Sequence, residues 1–444
     1  MNSIKIFKTI EIALEVMLLL VSAIAFFSPI VVTKDFVAWI FIAYLLLIAN
    51  NLYYNRRLNL FQVWNASYVY VIISEMILIS HRDVLTLDYQ FAIAFLLLSN
   101  SVFICGYVIA KFSNITWNEG AFYRLVNKKS FIIVIILFIY LYFYYKYQNA
   151  LFNFENGRAV SNALGSGSVM RIVVNSVGML LPPLIGYYSA YHTKHKWMSL
   201  LVVIPIFIIQ LLISTRFRVL YMALPYMIIV GILPLKINSL KRVLTLILLF
   251  IILSFGSSFL KKYRYTSLAE DVDFSALYSG STDSFVSIAD KMSPEGVVHM
   301  TMLANDYFAV HPLSHGKESL YITYFWVPRS IWNDKPTPID YWLIREYDTI
   351  GESVTTASGF PGEIRADFGY YCFIIIFLWG ICLKYLDSIV LSFIFKRESF
   401  NVILMAMLFP WIFFFVRSPN TATISFVLEV LLFVVLRKLF TKKV

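Results

Sequence analysis

Residues 90 to 110 read QFAIAFLLLSNSVFICGYVIA, 21 positions without a charged side chain. A bilayer core ~30 Å thick takes about 20 apolar residues as a helix, so this stretch reads as a membrane span. The whole chain repeats its character. The 444 residues are 59% hydrophobic and 14% charged, with a mean hydropathy of +0.74, against roughly 45 to 50% apolar and about 25% charged in soluble domains. A soluble globular protein and a disordered chain are both excluded, because the surplus apolar surface has only lipid to face.

Working outward, segments of the same kind run 9 to 32, 36 to 54, 62 to 80, 130 to 147, 170 to 191, 197 to 214, 218 to 235, 242 to 260, 368 to 392, 399 to 416 and 421 to 437. The expectation is an all-α polytopic membrane protein with about 12 transmembrane helices. Lys5 and Lys8 precede the first segment, which is long and lacks a small-residue cleavage site, so it reads as an anchor and not a signal peptide. Cys105, Cys372 and Cys382 all fall in apolar stretches and form neither a disulfide framework nor a metal cluster.

Lys and Arg in short loops stay on the cytoplasmic side. With the N-terminus inside, the inner loops and tails collect 20 basic residues, from Lys5 to Lys443, and the short outer loops and helix ends only eight. Both termini are therefore expected in the cytoplasm. The net charge of +11 is absorbed by this bias, and nucleic acid is not expected as a partner.

One connection is long. Residues 261 to 367 form an outward-facing segment with 9 basic and 15 acidic side chains, which divides the chain into 1 to 260, 261 to 367 and 368 to 444. Phe285, Ile288, Ala289 and Met292 follow helical spacing, and 297 to 303 (VVHMTML) is a second apolar run. Short helices on the membrane surface, or helices packed within a subdomain of their own, would both fit.

Basic residues on the outer side stand against the inside rule, and most of the eight are arginines: Arg82, Arg158, Arg171, Arg216, Arg218 and Arg417, beside Lys34 and Lys146. The long segment adds Arg264, Arg329, Arg345 and Arg365. A planar, permanently charged guanidinium suits a bidentate grip on phosphate oxygens. Snorkelling to headgroups or pairing with loop acids is the alternative for each one. Arg216 and Arg218 stand together at the junction of two spans, in Ser214-Thr215-Arg216-Phe217-Arg218, and point most directly to a lipid-linked phosphate.

The densest polar constellation runs from His311-Pro312-Leu313-Ser314-His315-Gly316 through 325 to 336 (FWVPRSIWNDKP) to 359 to 369 (GFPGEIRADFG). Trp326, Trp332 and Tyr324 offer faces of the kind that stack on sugar rings, although aromatics also gather at membrane interfaces. Glu363 and Asp367 are candidate carboxylates for proton transfer.

In layout, and in the STRxxxL-like junction, the PRSIWNDKP segment and the GEIRADFG segment, the chain resembles the O-antigen polymerase (Wzy) family of oligosaccharide repeat unit polymerases. The resemblance covers the whole chain in layout and about thirty positions in residues. It implies a metal-independent, cofactor-free bacterial inner-membrane glycosyltransferase with a GT-C-like architecture and a large periplasmic loop subdomain. Such an enzyme moves a glycan from undecaprenyl diphosphate to a fresh lipid-linked repeat unit at the periplasmic face, alongside a chain-length regulator protein. By position, the resemblance assigns Arg216, Arg218, Arg329 and Arg365 to the diphosphates; Arg171, Arg264 and Arg417, from the outer arginine set, are further candidate binders. It assigns Glu363 or Asp367 to the acid/base role, with His311 or His315 open as the histidine that related ligases use.

Other signals compete. Asp271 and Asp273 form a DxD beside Glu270, which reads more simply as a solvated acidic loop. His192 and His195 sit among lysines of an inner loop, at headgroup level. Glu15, Glu75 and Glu429 lie inside apolar runs, where ionisable residues are functional hypotheses by default; for Glu429 an interhelical hydrogen bond is expected. An exporter of lipid-linked oligosaccharide would keep its loops short and its charges within the spans, and this chain does the reverse. A ligase differs from a polymerase only in its acceptor, and the sequence does not separate the two.

Overall fold

The computed structural model describes residues 2–55, 58–81, 85–110, 123–146, 169–193, 199–213, 216–231, 296–317, 319–327, 331–336, 339, 343, 357–394 and 399–443. Helix α1 spans Asn2–Phe27 and α2 Lys34–Asn55; α3, Leu60–Tyr68, continues through a π turn, Val69–Ile73, into α4, Ser74–His81; α5 spans Leu87–Ile109. After strand β1, Tyr123–Leu125, come α6, Lys128–Lys146, α7, Val169–His192, α8, Ser199–Ile213, and α9, Arg216–Val230. The long segment contributes α10, Val297–Val310, and the short α11, Tyr321–Tyr324. Then follow α12, Gly359–Phe368, α13, Cys372–Ile394, α14, Val402–Arg417, α15, Pro419–Phe440, and strand β2, Thr441–Lys443.

Helices occupy every expected span except 242 to 260, which lies outside the described residues. Among the described residues five helices are long and apolar enough to cross a membrane: Lys8–Phe27, Lys34–Leu52, Leu60–His81, Leu87–Ile109 and Gly359–Val390. Shorter apolar helices are Ser199–Ile208, Val219–Val230 and Val402–Arg417. The chain is a helical membrane protein. Leu20, Ile24, Ile133, Leu201, Ile374 and Leu431 remain exposed on α1, α6, α8, α13 and α15, as a lipid-facing surface requires, whereas α3 to α5 are buried almost throughout.

Glycine sets the closest packing. A Cβ at Gly106 would lie 2.1 Å from the Phe377 carbonyl oxygen, and one at Gly380 would lie 2.2 Å from that of Phe103. The backbones of α5 and α13 therefore touch, the small-residue contact by which helices associate where lipid removes the hydrophobic drive. Above it Trp64 stacks on Phe103 at 4.0 Å and donates to Asn100 Oδ1 at 2.8 Å.

The two ends of the bundle are distinguishable. Strands β1 and β2 pair antiparallel, Tyr123 with Lys443 and Leu125 with Thr441, and the Phe400 amide donates to the Tyr123 carbonyl at 2.9 Å. The loop after α5, the loop after α13 and the C-terminus thus share one end, where Arg124, Lys128, Lys442 and Lys443 gather. Tyr187 of α7 meets Phe400 at this end, ring to ring at 5.3 Å. His192 packs against Tyr187 and Tyr188 in the same region.

Buried carboxylates serve as helix caps. Asp387 of α13 accepts from the Leu60 amide at 2.9 Å and from Tyr107 Oη at 2.7 Å, at the start of α3. Glu75 accepts from the Val298 and His299 amides at 3.1 and 3.2 Å, satisfying two of the donors that a helix N-terminus leaves open. Glu11 accepts from Asn51, which in turn accepts from Gln62 at 2.8 Å. Glu15 is buried one turn further along α1.

The cap at Glu75 corrects one expectation. The run 297 to 303 does not lie on a surface: Val297, Val298, Met300 and Thr301 of α10 are fully buried, and Tyr89 of α5 meets His299 Nδ1 at 2.6 Å. Val297 and Val298 belong to the main core, and Met300 and Leu303 to a smaller cluster with Ile339, Leu343 and Ala366 of the long segment. Residues 285 to 292 lie outside the described residues.

Candidate functional site

Helix α12 carries GFPGEIRADF, and residues 359 to 367 are buried without exception. Pro361 fits the first turn, where no intrahelical donor is required. The helix stops at Gly369, whose φ of 58° and ψ of −138° belong to a region that essentially only glycine occupies. A Cβ there would also crowd Leu313 Cδ1 at 3.1 Å and Arg365 Nη1 at 3.3 Å. The expected span 368 to 392 accordingly starts anew at Cys372.

At 100° per residue Glu363 and Asp367, four positions apart, leave α12 on one face, and Arg365 leaves it on the other side. Glu363, 3% exposed, accepts from Asn420 Nδ2 at 2.7 Å and from Ser358 Oγ at 3.2 Å. Asp367 accepts from both the amide and the hydroxyl of Ser319, each at 2.6 Å. Arg365, 6% exposed, lies over the Tyr370 ring at 4.2 Å from its centroid, and its Nε is buried without a hydrogen-bond partner. Among the described residues no carboxylate is ion-paired with it.

Asp367 fastens the following loop. With the Ser314 amide donating to the Ala366 carbonyl at 2.9 Å, residues 313 to 319 are tied to the end of α12. His315 stands there with a φ of 50°, exposed, beside Gly316 at 86°. His311 is exposed too and stacks on Tyr307, centroids 4.1 Å apart. Among the described residues neither histidine hydrogen-bonds to Glu363 or Asp367.

The aromatic candidates form a ledge on the same loop. Tyr324 donates to the Lys317 carbonyl at 2.6 Å and meets Trp332 at 5.3 Å, while the indole of Trp326 donates to Thr323 O at 2.7 Å and leaves its ring largely exposed. Lys335 holds the ledge from beneath: its buried ammonium donates to the carbonyls of Phe325 and Val327 at 2.5 and 3.0 Å. The lysine of the WNDKP segment is therefore a brace.

Helix register places the other arginines. Methyls at Gly178 and Gly186 of α7 would meet Met222 and Val230 of α9, respectively, so the two helices run parallel, and Arg171 and Arg216 both open their first turns. Helix α14 runs the other way, from the β-ribbon end to α12, with Phe414 against Tyr221 at 5.2 Å. Three residues on from that contact, in opposite directions, stand Arg218 and Arg417. Arg171, Arg216, Arg218 and Arg417 thus occupy the end of the bundle that holds Glu363 and Arg365. Arg264 and Arg329 lie outside the described residues, as do Asp271 and Asp273.

Sequence reading missed several participants. Asn420 follows Arg417-Ser418-Pro419, a polar cluster at the turn between α14 and α15 that its composition could have flagged. Asn305 of α10 and Asp387 carry no motif at all. Glu429 accepts from Tyr221 Oη at 2.9 Å, the interhelical bond expected for it, and its Oε1 is buried without a partner. Among the described residues no group of three or more His, Cys, Asp or Glu could hold a metal ion. Comparison with family models, with curated proteins and with solved structures finds no match in any of the three.

Proposed function

We propose that this protein is a polysaccharide polymerase of the bacterial inner membrane, a metal-independent glycosyltransferase with about twelve spans and both termini cytoplasmic. It acts at the outer face on glycans carried by undecaprenyl diphosphate. The observation that carries the reading is Arg365. An uncompensated guanidinium costs several kcal/mol to bury, and a permanently charged group with no ion-paired carboxylate among the described residues, at the same end of the bundle as four further arginine positions, suits an anion that arrives with the substrate.

In the reaction the bond between the donor sugar's anomeric carbon and the diphosphate oxygen breaks. A bond from that carbon to a hydroxyl oxygen of the acceptor repeat unit forms. Undecaprenyl diphosphate leaves with the bonding electron pair, and the arginines stabilise the charge it gains. The acceptor hydroxyl's proton goes to a carboxylate, and Glu363 is assigned that role because Asn420 and Ser358 hold it at the arginine-bearing end, whereas Asp367 is engaged by Ser319.

The test is incubation of the purified protein with a defined lipid-linked repeat unit, followed by gel analysis. A ladder supports the polymerase. Transfer only to a different lipid means a ligase, and movement across vesicles without transfer means an exporter; either outcome overturns the reading. Glu363→Gln keeps an oxygen for Asn420 and should bind the lipid-linked substrate normally while losing turnover about a hundredfold or more. Unchanged turnover moves the base to another residue.

A further inference from the structure

Asn305 is 8% exposed, and both its Nδ2 and its Oδ1 are buried without a hydrogen-bond partner. Native interiors rarely leave a whole amide unanswered. Its position follows from the packing of α10 on α12. A methyl at Gly359 would sit 2.6 Å from Val297 Cγ1, and one at Gly362 would sit 3.5 Å from Thr301 Oγ1, so the two helices run parallel in near register. One turn past Thr301, Asn305 comes level with Arg365 and Ala366. Ala304 and Ala366 share one buried cluster there.

The chemistry of the two orphans differs in a useful way. Arg365 offers only donors, so an acidic oxygen answers it. Asn305 leaves a donor and an acceptor open together, and a phosphate oxygen, which only accepts, would satisfy one half of it. A hydroxyl, or the N–H and C=O of an acetamido group, satisfies both. We propose that Asn305 is a substrate-binding residue that takes a hydroxyl or acetamido group of the sugar directly attached to the diphosphate, beside the phosphate held by Arg365. The assignment rests on the polymerase reading and extends it from the diphosphate to the first sugar.

The test uses the full-length protein in lipid nanodiscs with two probes, farnesyl diphosphate and its N-acetylglucosaminyl derivative. Wild type should hold the sugar-bearing probe more tightly. Asn305→Ala should weaken that probe about tenfold, the loss of a hydrogen-bonded pair, and leave the sugar-free probe unchanged. Arg365→Ala should weaken both. Asn305→Leu keeps the volume and removes the unanswered polar atoms, so its unfolding temperature should equal or exceed wild type while sugar discrimination is lost. That split is not produced by a residue whose role is packing.

Wild type that binds the two probes equally, or Asn305 variants that keep the discrimination or lose both affinities alike, would overturn the inference and leave the polymerase reading standing. Wild type that binds neither probe overturns the polymerase reading itself.

Discussion

The two ends of the bundle bury polar groups to opposite effect. At the β-ribbon end the buried carboxylate and amides near the start of α3 are answered among the described residues: Asp387 by Leu60 and Tyr107, Asn51 by Glu11 and Gln62, Gln62 by the capping box it forms with Asn59. The unanswered atoms toward that end, Asn65 Oδ1 and His192 Nε2, are single ones, and Asn65 Nδ2 is bonded. At the α12 end Asn305 leaves both atoms of its amide open and Arg365 its buried Nε. Closed networks fix helices in place, whereas open ones are costly unless something arrives to close them.

The sharpest way to break this contrast is a pair of substitutions. Arg365→Ala removes a buried charge that no carboxylate balances among the described residues, so stability should hold or rise while polymerisation falls about a hundredfold or more, the scale for losing a positioned transition-state donor. Asp387→Ala should do the reverse. It strands the Leu60 amide and the Tyr107 hydroxyl, costing about 2 to 5 kcal/mol, with turnover per folded molecule unchanged. Thermal unfolding and ladder assays on the two proteins read both axes, and the same sign on both axes would erase the distinction.

A smaller effect is expected at Gly369. Alanine there must adopt a backbone conformation costing about 1 to 3 kcal/mol, and its methyl meets Leu313 and Arg365 Nη1. Gly369→Ala should therefore lower the unfolding temperature and the activity together, because one carbon reaches both the chain break and the guanidinium. Loss of stability with full specific activity would show that Arg365 tolerates displacement.

Much of the architecture was legible because lipid imposes a coarse rule: charge-free runs such as 90 to 110 must be helices, and two of the basic segments, around Arg124 and Lys442, meet at one end where β1 pairs with β2. The fate of 297 to 303 was not. VVHMTML reads as an apolar run that could face lipid or a core of its own, and the partners of its first amides and of His299 are Glu75 and Tyr89, more than 200 residues away in the chain. The GEIRADFG segment announced itself as a unit, but not that Glu363 and Asp367, on one face of the helix, would be claimed by different partners, Asn420 and Ser319. Asp387 disappears among apolar neighbours, and Asn305 is marked by what it lacks, which no sequence displays.

Glu75 offers the finest cut between the two kinds of buried carboxylate. It lies toward the α12 end, yet its bonds to the Val298 and His299 amides are those of a cap. Glu75→Gln keeps one accepting oxygen and replaces the other with a donor that faces an amide N–H. About 1 kcal/mol should be lost, within the range for helix capping. Hydrogen exchange of a peptide covering the first turn of α10 should quicken, while the far half of α5 stays as protected as before. Were Glu75 part of the chemistry, activity would fall far more than such a loss of stability explains. Activity that tracks the folded fraction instead assigns Glu75 to the architecture, like Asp387, and leaves Glu363 as the carboxylate proposed for proton transfer.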